Sequence, residues 1–223
     1  MKAKSIKGKS PEEIKSALEV SLADGFNPTL AIVFLSVKQD RNAVLEVFNE
    51  RGISVFGSTT SGEFIDGEYS EGAVAILLLE LNPSLFKILF EEYPDKEPRL
   101  LAKHLGEKAL KFYSNPTFIP VSSGFFLDGE QLIRGIEDAA GVGANIWGGR
   151  AGDDRKGEST FVFTNDKSSD QGIAILVFDG DKIYVKGQAL AGWKGARRAG
   201  PTERGRSSTW RRRANASSGR RAT

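Results

Sequence analysis

Residues 55–81, VFGSTTSGEFIDGEYSEGAVAILLLEL, form the stretch around which the chain is organised. A short apolar strand runs into a loop of small polar residues, and a long apolar run, residues 73–81, follows a second polar connection. The pattern occurs twice, because residues 146–179, IWGGRAGDDRKGESTFVFTNDKSSDQGIAILVFD, repeat the order of strand, glycine loop and long apolar strand. Glycine and other small residues let the backbone closely approach a turn, a neighbouring strand or a ligand. The two loops are therefore expected to occupy equivalent places in two similar halves.

The order of predicted elements also repeats along the rest of the chain. In both halves an amphipathic helix is followed by Asn-Pro, a buried strand, a second helix, a strand with its glycine loop, and further strands. The Asn-Pro pairs are residues 27–28 and 115–116. We therefore predict an α/β fold in which a duplicated α-β-α-β-β-β unit forms a mixed, mostly continuous sheet with flanking helices. The halves should lie near residues 10–92 and 97–190.

Local signals set several element boundaries. Ser10 begins a capping box and Asp40 is a candidate N-cap, so both should start helices. The sequence Asp179-Gly180-Asp181 predicts a hairpin turn, and residues 182–190 then read as the last strand.

The composition excludes some chemistry and favours a water-soluble protein. Of the 223 residues, 39% are hydrophobic, 27% are charged and none is cysteine, which rules out disulfides, thiolate zinc sites and cysteine nucleophiles. The basic N-terminus lacks the apolar segment of a secretory signal, and no apolar run is long enough to span a bilayer. These features predict a cytoplasmic protein without a membrane span.

The end of the chain has a different composition. Residues 194–223 hold ten of the 31 Lys and Arg residues and one of the 29 acidic residues, and they contain no Leu, Ile, Val or Phe. Three interpretations stay open: the product of a shifted reading frame or truncation, a solvated disordered tail, or an arginine-rich arm. Nucleic acid is the least favoured partner. We therefore divide the chain into a ligand-sensing domain, residues 1–193, and a tail, residues 194–223.

Small polar residues of the two loops, and of a third segment after a buried strand, are the candidate ligand contacts. Hydroxyl and N–H groups of the first loop suit a carboxylate or phosphate, and Arg150 can hold a carboxylate with two hydrogen bonds. Asp153, Asp154 or Glu63 can bind an ammonium group. We expect these segments to border one concave pocket that holds a zwitterion. The candidate residues are Ser58, Thr59, Thr60, Ser61, Gly62, Glu63, Ser122, Ser123, Gly124, Gly149, Arg150, Gly152, Asp153 and Asp154.

Other kinds of site have weaker support in the sequence. A P-loop is absent, and Asp153-Asp154 alone offers too few oxygen ligands for a metal ion. His104, the single histidine, falls within an amphipathic helix, whereas a Ser-His-Asp mechanism would need it beside Ser122 or Ser123. No cofactor is expected. The alternative to a binding domain is a hydrolase or transferase that uses the carboxylates near Asp153.

Five motifs, found in the right order, resemble the N-terminal part of the FIST domain, a family of bacterial and archaeal sensory domains. The similarity covers about residues 27–193. The motifs are Gly57-Ser58-Thr59-Thr60-Ser61-Gly62-Glu63, Tyr69-Ser70-Glu71-Gly72, Ser122-Ser123-Gly124, Asp128-Gly129-Glu130 and Gly148-Gly149-x-Ala151-Gly152-Asp153.

The resemblance implies an intracellular sensor of small ligands, with amino acids as the proposed ligands and no catalytic residues to carry over. Family members occur alone or joined to chemoreceptor, histidine kinase or cyclic-nucleotide signalling domains. The sequence departs from the family pattern after Lys194, where a C-terminal FIST part is expected, so the resemblance implies a truncated form. We therefore predict a non-enzymatic sensory module that binds a small ligand, an amino acid, and signals to a separate protein such as a kinase or chemoreceptor.

Overall fold

Two β-sheets pack face to face, and each sheet carries a pair of helices on its outer face. The computed structural model describes residues 1–93, 96–124 and 127–187. The first half contains β1 (Lys2–Gly8), α1 (Pro11–Leu22), β2 (Leu30–Ser36), α2 (Arg41–Asn49), β3 (Ser54–Thr60), β4 (Glu63–Ile65), β5 (Glu68–Ser70) and β6 (Val74–Glu80). The second half contains β7 (Phe86–Glu92), α3 (Pro98–Leu110), β8 (Pro116–Ser122), α4 (Gly129–Ala140), β9 (Gly149–Arg150), β10 (Val162–Thr164), β11 (Ser168–Ser169) and β12 (Gly172–Asp179).

The pairing of strands repeats between the two halves. The first sheet has the order β1-β6-β2-β3-β10-β11, and the second has the order β7-β12-β8-β9. The first four strands of each order pair in the same way, with two antiparallel contacts followed by one parallel contact. The α/β fold class is confirmed, and the identical pairing order is what a duplicated unit predicts.

Two details of the predicted architecture are wrong. Each unit begins with a strand, because β7 pairs with β12 and so opens the second half rather than closing the first. The corresponding β1 was missed because its alternating lysines resemble a solvated basic terminus. The halves also do not share one continuous sheet, since each half builds its own sheet and β10 and β11 of the second half extend the sheet of the first.

Alternation along the strands explains how the two sheets and four helices pack. In β2, Ala31, Val33 and Leu35 face α1 and α2, while Leu30 faces the other sheet. In β12, Ile173, Ile175 and Val177 likewise face α3 and α4, and Ala174, Leu176 and Phe178 enter the core between the sheets. Because side chains of a strand point alternately to opposite faces, a strand buried on both sides must be apolar throughout.

The helix starts follow the predicted capping chemistry. The Ser10 hydroxyl accepts a hydrogen bond from the Glu13 N–H at 3.3 Å, and the Asp40 carboxylate accepts one from the Ala43 N–H at 3.1 Å. Asp128 caps α4 in a similar way by accepting from the Glu130 N–H at 2.9 Å. These caps satisfy donors that have no partner within the helix.

The end of the chain departs from the predicted hairpin. The turn after β12 is present, with the Ile183 N–H donating to the Asp179 carbonyl at 2.8 Å. Residues 182–187 then form no strand, so this part of the predicted strand over residues 182–190 is wrong. The rest of that strand, and the predicted tail, lie outside the described residues. Within the described ranges, no helix combines the length and apolar character needed to cross a membrane.

Candidate functional site

The three predicted loop segments meet where parallel strands end. The Ala151 N–H donates to the Ser122 carbonyl at 2.8 Å, and the Gly152 N–H donates to the Thr59 carbonyl at 2.8 Å. The Asp154 N–H reaches the Thr60 carbonyl at 3.3 Å. The loop after β9 therefore joins the carboxyl end of β8 to that of β3, which is the edge where α/β sheets commonly bind ligands.

Polar groups of the first loop are largely used to hold the loop together. Ser58 is buried, and the Thr59 hydroxyl accepts a hydrogen bond from the Phe161 N–H at 2.9 Å. The Ser61 hydroxyl accepts from the Asp153 N–H at 3.2 Å. These contacts link β3 to residues about a hundred positions later in the chain, so they stabilise the junction between the two halves.

Two of the predicted ammonium ligands are buried and internally bonded. Glu63 is 2% exposed; its carboxylate accepts hydrogen bonds from the Thr60 hydroxyl at 2.7 Å and the Ala73 N–H at 3.0 Å. Asp153 is 4% exposed, and its carboxylate accepts from the Glu158 N–H at 2.7 Å. Buried polar groups are normally satisfied in this way, so both carboxylates brace loops in this structure.

Asp154 lies at the end of β2 rather than beside Arg150. Its carboxylate accepts a 2.6 Å hydrogen bond from the Ser36 hydroxyl and has the Lys38 ammonium group 3.7 Å away. Its backbone has a φ of 55°, a left-handed conformation that Asp tolerates better than most residues. Asp154 thus ties the loop after β9 back to the first half.

The segment after β8 is held from several sides. The Ser123 hydroxyl accepts from the Gly172 N–H at 2.8 Å, and the Gly124 N–H donates to the Thr160 hydroxyl at 2.7 Å. The Tyr93 hydroxyl donates to the Ser123 carbonyl at 2.7 Å, and burial raises the pKa of Tyr93. Gly124 has a φ of 83°, and a Cβ there would lie 2.2 Å from the Tyr93 oxygen, so this position requires glycine.

A cavity of about 240 Å³ lies between α4 and the strand that ends in Arg150; we call it the α4 cavity. Its walls include the polar residue Ser122, the charged residue Arg150, and Gly129 at the first turn of α4. The Ser122 side chain is fully buried, and its oxygen has no hydrogen-bond partner within the described part of the chain. The Arg150 side chain donates one hydrogen bond to the Gly124 carbonyl, which leaves its other donors available.

A second cavity contains the other candidate residues. Thr60, Gly62 and Glu63 line a cavity of about 480 Å³ beneath the β4–β5 hairpin; we call it the hairpin cavity. The structure therefore brings the three loops into contact but divides their cavity-lining residues between two cavities. Gly149 lines the α4 cavity, whereas Gly152 is packed against Ser61.

Sequence reasoning missed the apolar residues that shape both cavities. The walls of the α4 cavity include Leu132, Ile133 and Trp147. Trp147 directly precedes the second glycine loop, which was a usable signal. Phe34 and Leu77 line the hairpin cavity, and they were missed because each lies within a strand that reads as uniformly buried.

Fold and site together define a duplicated α/β domain with a ligand-sized cavity at the carboxyl ends of its parallel strands. The family model of the FIST N domain matches residues 29–200, and the chain belongs to that family. Membership makes it a sensory domain of signal transduction. Comparison with curated proteins found no match.

Proposed function

We propose that this domain senses a small ligand bearing a carboxylate, an amino acid, by binding it in the α4 cavity. The observation that carries the proposal is Ser122, a residue of the cavity wall whose hydroxyl is buried and has no hydrogen-bond partner among the described residues. An unsatisfied buried polar group costs about 1–3 kcal/mol. A ligand that hydrogen-bonds this hydroxyl would recover that energy.

The charge around the α4 cavity favours an anionic group. Arg150 is the one charged side chain among the described residues that line it. Gly129 places the start of α4 at the same cavity, where the Asp128 carboxylate already caps the helix by accepting from the Glu130 N–H. A carboxylate between Arg150 and Ser122 would therefore meet a guanidinium donor and a hydroxyl donor.

The remaining wall favours a small ligand with an apolar part. Leu132, Ile133, Ile146 and Trp147 contribute apolar surface, and Ile133 is 46% exposed. The volume of about 240 Å³ lies below the usual range of drug-sized pockets, which matches a ligand of amino-acid size. The ligand's ammonium group would lie toward solvent, because the carboxylates of Glu63 and Asp153 are internally bonded.

The sensory role requires a protein that receives the signal. We propose a separate signalling partner such as a kinase or chemoreceptor rather than nucleic acid. α4 is the natural element to transmit binding, because it begins at the cavity and packs closely on α3. A Cβ at Gly135 of α4 would lie 2.3 Å from the Arg99 carbonyl oxygen of α3, so the backbones of the two helices approach closely.

The test is calorimetric titration of the 223-residue chain with individual L-amino acids and with the amino alcohols that lack the carboxylate. We expect at least one amino acid to bind and its amino alcohol to bind much more weakly. Arg150→Gln should reduce amino-acid affinity by roughly 10–150-fold, the loss expected for a hydrogen-bonded charged contact. Arg134→Gln is the matched control, because Arg134 lies on α4 outside the cavity and pairs with Glu130.

Ser122→Ala gives a second and more specific readout. Removing an unsatisfied buried hydroxyl should leave the free energy of unfolding of the ligand-free protein unchanged or higher, while amino-acid binding weakens. Equal affinity in wild type, Arg150→Gln and Ser122→Ala would refute the site. Absence of binding by every amino acid would refute the ligand class.

The enzyme alternative receives less support from the geometry. A hydrolase or transferase would need the carboxylate of Asp153 or Asp154 to reach a substrate. Asp153 is 4% exposed and bonded to the Glu158 N–H, and Asp154 is bonded to Ser36. His104 lies exposed on α3, a helix that contributes no residue to the α4 cavity.

A further inference from the structure

The hairpin cavity lies on the inner face of the first sheet. Ile32 of β2 and Leu79 of β6 point into the core between the two sheets. The next residues on the same face of each strand lie outside that core, and they line the cavity instead. Phe34 and Leu77, which follow in this alternation, are each 38% exposed and line the cavity. The floor of the cavity is therefore apolar sheet surface without a covering layer among the described residues.

The β4–β5 hairpin forms one wall of this cavity. Phe64 and Ile65 of β4 line it, and Phe64 is 78% exposed. The hairpin is anchored at its base by the two hydrogen bonds of Glu63, and at its far end Glu68 pairs with Lys7 of β1. The anchored hairpin and the apolar sheet surface together enclose a cavity of about 480 Å³. This volume is within the range of small-molecule sites.

The charged groups at the hairpin cavity have one sign. Glu63 and Asp66 line it, and no Lys or Arg does so within the described part of the chain. The nearby Lys7 ammonium group is neutralised by its contact with Glu68. Because the Glu63 carboxylate is buried and internally bonded, Asp66 is the exposed charged group of the apolar hairpin cavity, whereas the α4 cavity has Arg150 as its charged group.

We propose that the hairpin cavity binds a small organic cation with an apolar body, such as an aromatic amine. The apolar body would cover Phe34, Leu77 and Phe64, which removes their exposed surface from water. The ammonium group would lie at the rim near Asp66, and aromatic faces of the phenylalanines also attract cations. This site is separate from the α4 cavity and does not depend on the function proposed there.

The probe is 2-phenylethylamine, titrated calorimetrically into the 223-residue chain and compared with 2-phenylethanol and with ethylamine. The alcohol lacks the charge and ethylamine lacks the ring. We expect the amine with the ring to bind about tenfold more tightly than either comparison compound, which corresponds to about 1.4 kcal/mol. Added salt should weaken its binding, because the charged contact is near the surface.

Two variants test the residues. Asp66→Asn should reduce phenylethylamine affinity about two- to fivefold, as expected for an exposed charge pair, and Asn also tolerates the left-handed backbone at this turn. Leu77→Lys places a positive charge on the floor and should abolish binding. The matched controls are Glu71→Gln, outside the cavity on the segment after the hairpin, and Val20→Lys, at an exposed position of α1.

Several results would overturn the proposal. The first is equal binding of phenylethylamine and phenylethanol, and the second is no binding of any probe up to millimolar concentration. The third is a Leu77→Lys variant that binds phenylethylamine as tightly as the wild type. Self-association of the protein that Leu77→Lys removes would instead assign this surface to a second copy of the chain. Arg150→Gln should leave phenylethylamine binding unchanged, so failure of one site is distinguishable from failure of the other.

Discussion

Replacement of Glu63 tests whether this residue braces the hairpin or is available to a ligand. Glu63→Ala removes two hydrogen bonds to a buried carboxylate, and it leaves the Ala73 N–H without an acceptor. Hydrogen bonds to charged groups contribute about 1.5–3 kcal/mol each, but losing the carboxylate also removes its desolvation cost. The Thr60 hydroxyl can turn to another acceptor, so we expect a net loss of about 2–3 kcal/mol in the free energy of unfolding.

Glu63→Gln separates shape from charge at the same position. The amide oxygen can still accept from the Ala73 N–H, and its NH₂ group can donate to the Thr60 hydroxyl, so the loss should be only about 1 kcal/mol. Urea unfolding followed by circular dichroism measures both variants. Glu71→Ala is the control, because Glu71 is exposed and bonded only to the Tyr69 hydroxyl at 2.8 Å. If Glu63→Ala were as stable as Glu71→Ala, the brace would be refuted and Glu63 would again be a candidate ligand residue.

Two further predictions concern packing and pH. Gly148→Ala should destabilise the fold by about 1–3 kcal/mol, because a Cβ would lie 1.9 Å from the Pro120 carbonyl oxygen. Gly149→Ala is the control, because a Cβ there has open space and should not change the stability measured by urea unfolding. Equal effects of the two substitutions would contradict the packing. The hydrogen bond from Lys108 lowers the pKa of Glu91 from its ordinary value of 4.5. The stabilising contribution of this pair is therefore complete above pH 4.5, and it is lost as the pH falls through the lowered pKa. Glu91→Gln should therefore reduce stability at neutral pH and flatten the acid limb of the stability curve, and an unchanged acid limb would exclude this pairing.

The separation of charge between the two cavities changes the predicted mode of recognition. The sequence suggested that Arg150 and an acidic loop residue would hold the two ends of one zwitterion. In the structure Arg150 lines the α4 cavity and the exposed Asp66 lines the hairpin cavity, while the Glu63 carboxylate is buried and internally bonded. Each cavity therefore favours a ligand group of one charge sign, which is why we assign them different ligands.

Much of the fold was predictable because its signals are local. Asp40 caps α2 through its own side chain, and the apolar periodicity of α3 and α4 is visible in short windows. The repeated glycine loops also showed that the chain contains two similar halves. β1 was not predictable in this way, because its lysines alternate on a strand whose pairing with β6 lies about seventy residues away.

The sequence by itself determined the repetition of a unit of helices and strands, the family and the set of small polar loop residues. These follow from periodicity, capping and motif spacing, which depend on neighbouring residues. Only the tertiary structure decided that the halves build two stacked sheets and that Glu63 and Asp153 bond to their own backbone neighbourhood. It also showed that the Ser122 hydroxyl, in the wall of a cavity, is buried without a hydrogen-bond partner in the described ranges. Whether a polar side chain faces a ligand or an internal partner depends on atoms far away in the chain, and those positions are fixed only when the sheets pack.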